Sequence, residues 1–163
     1  MGTRGLIVVK HKGVTPVAQY CQYDMYPSYH GVKILNFLKR LNQHGIVGKF
    51  KTHLNLIVDV TGVIESMQRN CHPFEIEWYY KQRPQLARNY SSKVLDYILN
   101  NSEREIELVN NIEFASDTLE CEWCYVIDFD KNTFVISNCF GRVKTYPLYG
   151  LPKTKRFCEE LDY

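Results

Sequence analysis

Alternation and period along the chain place strands at both ends and helices between them. Residues 5–12 (Gly-Leu-Ile-Val-Val-Lys-His-Lys) read as a strand, and Gly13 with Pro16 marks a reversal into a second strand from Val17 to about Tyr23. In that strand Val17, Gln19, Cys21 and Tyr23 share one face, and Ala18, Tyr20, Gln22 and Asp24 the other. Asp24 then emerges where pairing stops. Ile34, Leu35, Leu38 and Leu41 have the spacing of an amphipathic helix from about His30 to His44, with Ser28 as its N-cap and Gly45 as its stop. Leu54, Ile57, Val58, Ile64 and Met67 keep a helix-like period, which predicts a further helix from Lys51 to Arg69 with Gly62 as its weak point. Residues 70–84 are rich in aromatics and Pro and read as irregular or short-strand structure. A helix from Ser91 to Asn100 turns Val94, Leu95, Ile98 and Leu99 inward, and Glu103 to Asn110 reads as another helical turn or two. Cys121, Trp123, Tyr125 and Ile127 then share a strand face, Asp128 to Thr133 form a turn, and Phe134 to Phe140 return. The order ββ, helices, ββ predicts an α+β domain over residues 1–146, with the two terminal hairpins in one antiparallel sheet covered by helices. Residues 147–163 read as a peripheral C-terminal extension.

The length of 163 residues fits one domain with a sizeable core. Twenty basic against 18 acidic residues leave a formal charge of +2, too little for the broad basic footprint of a general nucleic-acid binder. Twelve Tyr favour a half-wet pocket or a protein partner, since Tyr combines an apolar ring with a polar tip. No apolar run approaches a membrane span, so no membrane partner is expected. Met-Gly at the start lacks the Ser or Thr that myristoylation needs, because Leu6 stands there. The six cysteines, with no signal peptide before them, read as reduced thiols of a cytoplasmic protein. Nothing in the pattern sets an oligomeric state.

Candidate chemistry is sparse. Cys121 and Cys124 have CxxC spacing, but on a strand residues three apart face opposite ways, which disfavours a shared metal. Asp128 and Asp130 have the spacing to hold Mg²⁺, yet Asp-Phe-Asp-Lys-Asn-Thr is foremost a polar hairpin turn. His72 has no spaced ligand partner. No Gly-x-Ser-x-Gly, Walker loop, dinucleotide fingerprint or zincin motif occurs, and no cofactor or metal is expected. The ββ, helices, ββ order invites comparison with N-terminal-nucleophile hydrolases, but removal of Met1 exposes Gly2, which cannot serve as their nucleophile.

The stretch Tyr23-Asp24-Met25-Tyr26-Pro27-Ser28 sets an acid, a hydroxyl and aromatic rings at one strand-to-helix junction. It is equally readable as a strand exit whose Asp24 and Ser28 bond local N–H groups, or as a site where Tyr23 and Tyr26 flank a ligand ring and Asp24 accepts from its donors. Arg4, between Thr3 and Gly5, suits a surface ion pair with Asp24 or a ligand anion, and Arg88 stands before a helix start with the same two uses.

These segments resemble a family of small proteins from phages, bacteria and fungi that begin Met-Gly-Thr-Arg-Gly and continue with a Gln-Tyr-Asp-Gly-Tyr-Pro-Ser-Gly-like segment. The likeness covers Met1 to Gly5, Ala18-Gln19-Tyr20, Gln22-Tyr23-Asp24, Tyr26-Pro27-Ser28 and Gly31. It extends to Pro84 through Leu95 and to Glu122 through Asp130, which is similar to Glu-Trp-Ala-Tyr-Val-Ile-Asp-Leu-Asp. Met25 and Tyr29 replace two glycines of the junction, and Asn89, Tyr90 and Ser91 stand where the family has Asp, Thr and Gly. Three functions stay open. One is binding of a small polar anionic ligand, a nucleotide or related metabolite, by Arg4, Tyr23, Asp24, Tyr26, Ser28 and Arg88; the phage context of the resemblance extends this to sequestration of a signalling nucleotide. The second is a hydrolase acting on such a ligand with Asp24 as acid or base. The third is a protein-binding module using Trp78, Tyr79 and Tyr80.

Overall fold

A computed structural model of the chain describes residues 2–101 and 104–161. It is α+β. Strands β1 (Gly5–His11) and β2 (Val14–Cys21) form the expected amino-terminal hairpin, and β5 (Trp123–Asp128) and β6 (Thr133–Asn138) the carboxyl-terminal one. A further strand, β7 (Val143–Pro147), adds to β6, so the sheet order is β2-β1-β5-β6-β7. The hairpins join through β1 and β5, which run parallel from Gly5 opposite Trp123 to Lys10 opposite Asp128. The sheet is therefore mixed, rather than antiparallel throughout. The near-continuous apolar run of β1 carries the reason. Leu6, Ile7, Val8 and Val9 are all buried, which is the pattern of a central strand covered on both faces.

One sheet face carries the main core. Ile7, Val9, Val17, Cys21, Tyr125, Ile127, Phe134 and Ile136 meet α1 (Val32–Gln43), α2 (Val47–Leu54), α5 (Lys93–Asn100) and α6 (Thr154–Leu161). On the opposite face Leu6, Val8 and Ala18 pack with Cys121 and Phe114 in a smaller cluster. The segment 147–163, expected as a peripheral extension, instead supplies α6, whose Phe157 and Leu161 lie in the main core. Phe157 stacks on Phe134 at 6.2 Å and packs against Tyr146 at 5.9 Å. Lys155, Arg156 and Glu159 are exposed on that helix, while the half-buried Glu160 accepts from the Tyr146 hydroxyl at 2.6 Å.

The middle of the chain departs most from its pattern. The expected helix over 51–69 is three elements: α2, a short strand β3 (Ile57–Asp59) and α3 (Thr61–Asn70). The β-branched pair Ile57 and Val58 pairs in parallel with β4 (Ile106–Leu108), where a helical turn was expected; Glu103 of that expectation lies outside the described residues. Residues 70–84 contain a helix, α4 (Pro73–Lys81). His72 caps it: its Nδ1 accepts from Phe74 N at 3.2 Å while Glu75 accepts from His72 N at 2.9 Å, and Pro73 occupies the first helical position.

The junction after β2 is tightly tied. Asp24 adopts φ +57°, Met25 N donates to Thr3 O at 3.2 Å, and the buried Tyr125 hydroxyl donates to Met25 O at 2.7 Å. Pro27–Gly31 then forms one wide π-type turn, with Gly31 N donating to Tyr26 O, before α1 begins at Val32. Ser28 is thus not an N-cap. Gly45 does end the helix, with φ +63° and its N–H on Asn42 O.

Candidate functional site

Arg4 is fixed by the start of the parallel pair. Its carbonyl accepts from Glu122 N at 3.1 Å, its N–H donates to Glu122 Oε1 at 3.4 Å, and the next residue enters β1. Its guanidinium forms an ion pair with Glu120. Arg88 comes from the other side, on the loop between a short 3₁₀ turn (Pro84–Leu86) and α5. Its guanidinium lies over the Tyr20 ring at 5.0 Å, a cation–π contact, and it makes no ion pair among the described residues.

Both arginines line one cleft of about 490 Å³, bounded by β2, α3, the 86–88 loop and the segment 109–120. Tyr20 is part of its lining. The ring meets Phe114 edge-on at 4.9 Å, and its hydroxyl donates to Gln22 Oε1 at 2.6 Å. Asn111 holds the segment against β2, since Asn111 N donates to Ala18 O at 2.8 Å and Asn111 Oδ1 accepts from Tyr20 N at 3.4 Å. Tyr80, Ile64, Leu86 and Val109 supply an apolar wall, while Gln68, Glu65 and Asn111 supply polar groups. The cleft thus combines one unpaired cation, one cation paired with Glu120, the Glu65 carboxylate, an edge-on aromatic pair and neutral amide groups. That set suits a ligand with an anionic group and a flat or sugar-like body.

Of the residues singled out from the sequence, Arg4 and Arg88 meet in this cleft, although 84 positions apart. Tyr23, Asp24, Tyr26 and Ser28 lie outside its lining and are exposed. Gly2 packs so closely under Tyr23 that any side chain there would strike the ring. Tyr20, Phe114 and Glu120 were not singled out, yet Tyr20 carries a legible signal: it sits on the strand face opposite the core, beside Ala18. Glu120 has none, because only the tertiary fold brings it to Arg4.

The other candidates have structural employment. Asp128 Oδ1 accepts from Asp130 N and Lys131 N at 2.9 and 3.0 Å, closing the turn. Asp130 accepts from Lys12 N and Gly13 N at 2.8 and 2.9 Å, and those two bonds hold its carboxyl below the usual range. The Asp pair clips the two hairpin turns together. All six cysteines are free thiols, and burial pushes Cys21 and Cys121 up to about 12 and Cys124 to about 11, far from reactive thiolates. Among the described residues no group of three or more His, Cys, Asp or Glu could hold a metal ion, and no helix is long and apolar enough to cross a membrane.

Fold and cleft together define an α+β domain with a two-arginine, aromatic-walled cleft. Comparison with protein-family models, with curated proteins and with solved structures finds no match to this chain.

Proposed function

We propose that the cleft binds a small anionic ligand, a nucleotide or related metabolite, with Arg88 as its anion anchor and Tyr20 as a stacking surface. The observation that carries this is the exposed Arg88 guanidinium, held over Tyr20 and without a carboxylate partner. Arg4 joins it by exchange. Its pair with Glu120 is about one-third exposed on the arginine side, and such a pair contributes only about 0–1 kcal/mol, so a phosphate can displace the carboxylate. Kinship to the phage, bacterial and fungal family is part of the proposal. It is supported by Ser91, which has φ +55° at the position where that family carries Gly. Sequestration of a signalling nucleotide, rather than its turnover, is supported by the place of Asp24, the expected acid or base, outside the cleft's lining.

The test is a panel of mono-, di- and cyclic nucleotides read by thermal shift and isothermal titration. At least one should stabilise the protein as its concentration passes Kd. Arg88→Ala should weaken binding about 10- to 100-fold, the loss of one charge-assisted hydrogen bond, and Glu120→Gln should strengthen it by freeing Arg4. Binding unchanged in Arg88→Ala, or no response to the whole panel, refutes the reading. A second reading then takes its place. Helix α4 buries no residue and presents Phe74 and Trp78, 77% and 63% exposed, one turn apart, as a docking surface for a protein partner. Tyr79 and Tyr80 do not share that surface: Tyr79 stacks under Arg83 at 3.9 Å and Tyr80 lines the cleft.

A further inference from the structure

Ser92 is the last residue before α5, and its Oγ lies 2.8 Å from His30 Nδ1, with both residues buried. Ser92 also lines a groove of about 260 Å³ between α1 and α5, together with Lys33, Asn36, Arg40, Lys93 and Asp96. A serine that lines a groove and whose hydroxyl is bonded to an imidazole is a candidate nucleophile with its base in place. His30 is neutral at pH 7 and weakly basic in the free protein. Burial, then the nearby Lys33, lower its pKa to about 4 against a smaller opposing pull from Asp24. With the proton on Nε2, Nδ1 accepts from the serine.

The groove also has a sign. Arg40 and Asp96 neutralise each other at 2.8 Å, whereas Lys33 and Lys93 make no ion pair among the described residues. Lys33 lies over the Tyr29 ring at 4.0 Å, which keeps it on the His30 side of the groove.

We propose that Ser92 and His30 form a nucleophile–base pair that hydrolyses carboxylic esters whose acyl group carries a negative charge. Ser92 Oγ attacks the carbonyl carbon as its proton passes to His30 Nδ1. The carbon–oxygen bond to the leaving alcohol breaks, and His30 returns the proton to that oxygen. Water then attacks the acyl-Ser92 ester with His30 again taking a proton, the bond to Oγ breaks, and Oγ recovers its hydrogen. Ester and water give acid and alcohol, with no oxidant or co-reactant. Lys33 and Asn36 face the same groove and supply positive charge and an amide donor for the carbonyl oxygen. The anionic acyl group has a second effect: placed beside Lys33, it offsets the field that weakens His30 and so raises the basicity of the imidazole when substrate is bound. This site is separate from the Arg4–Arg88 cleft and does not rest on the binding proposed there.

The experiment uses a fluorophosphonate probe with intact-mass and peptide analysis of the full chain. Wild type should gain one phosphonyl group at Ser92 with loss of fluoride. Ser92→Ala should gain none, and His30→Gln should react at least about 100-fold more slowly, the usual contribution of a general base. Unmodified Ser92 in the wild type, which needs no variant to fold, overturns the proposal, as does unchanged reactivity in a folded His30→Gln. p-Nitrophenyl hemisuccinate should be cleaved faster than p-nitrophenyl butyrate, and Lys33→Ala should remove that preference. Equal cleavage of the two esters by the wild type overturns the assigned substrate class.

Discussion

Acidification should destabilise this protein through His30, and the size of the effect follows from its surroundings. The imidazole is buried under Tyr29, whose ring lies edge-on at 4.9 Å, and is hydrogen-bonded to Ser92 at 2.8 Å. Charging it means desolvating a cation beside Lys33, with only the exposed Asp24 in opposition. The folded-state pKa falls from 6.5 to about 4, so the unfolded chain binds the proton more readily. Stability from this group is therefore complete above pH 6.5 and is lost as pH falls from there towards 4. The displacement sets an upper limit of about 3 kcal/mol, and water around the exposed Lys33 reduces this to about 2 kcal/mol. Urea unfolding of wild type and of His30→Gln at several pH values between 7 and 4 isolates the effect, because carboxylates and His11 contribute to both curves and cancel in the difference. The wild-type advantage should shrink by about 2 kcal/mol over that window, and the His30 imidazole resonance should titrate well below pH 6.5. A pH-independent difference, or a midpoint at or above 6.5, would show that the ring is neither desolvated nor opposed by Lys33 as described.

Two packing predictions test the parts of the fold that hold the sites. Phe157→Ala should cost about 3–5 kcal/mol in chemical denaturation, the range for a fully buried Phe; a cost below about 1 kcal/mol would return α6 to the periphery. Gly31→Ala should lower stability by about 1 kcal/mol despite the better helix propensity of Ala, because the new methyl would sit 3.0 Å from Tyr125 Oη and 3.1 Å from Phe157 Cε1. A rise in Tm would mean that those rings yield without strain.

The outer elements were legible because their apolar positions answer to a single packing partner. Ile34, Leu35, Leu38 and Leu41 face the sheet at helical spacing, and Val94, Leu95, Ile98 and Leu99 do the same. The middle was not, because β3 and β4 exist only through each other: Ile57 to Asp59 has no reason to extend until Ile106 to Leu108 lies beside it. α4 escaped notice for the opposite reason. None of its residues is fully buried, so no apolar stripe announces it, and its start rests on the His72–Glu75 cap instead. At the cleft, the charge of Arg4 and Arg88 was readable, but the choice of aromatic was not. The strand ends at Cys21, and the left-handed Asp24 turns the chain away, so Tyr23 covers Gly2 while Tyr20 faces the cleft.

A single loop reaches both the cleft and the groove. Arg88 reaches into the cleft on one side, and four residues later Ser92 meets His30 on the other. Between them Ser91 takes a left-handed backbone conformation that costs a non-glycine residue about 1–2 kcal/mol. Such a conformation persists only where neighbours over-determine it. Here they do, because Ser91 is buried, Tyr90 N donates to Ala87 O, and Val94 N donates to Ser91 O as α5 begins. The end of β2 places Tyr20 on the cleft face of the sheet and the buried Cys21 in the main core on the other. Arg88 at the cleft and Ser92 at the groove are therefore held four positions apart by a loop that the buried Ser91 fixes, whereas Tyr23, Asp24, Tyr26 and Ser28 of the strand-to-helix junction do not line the cleft.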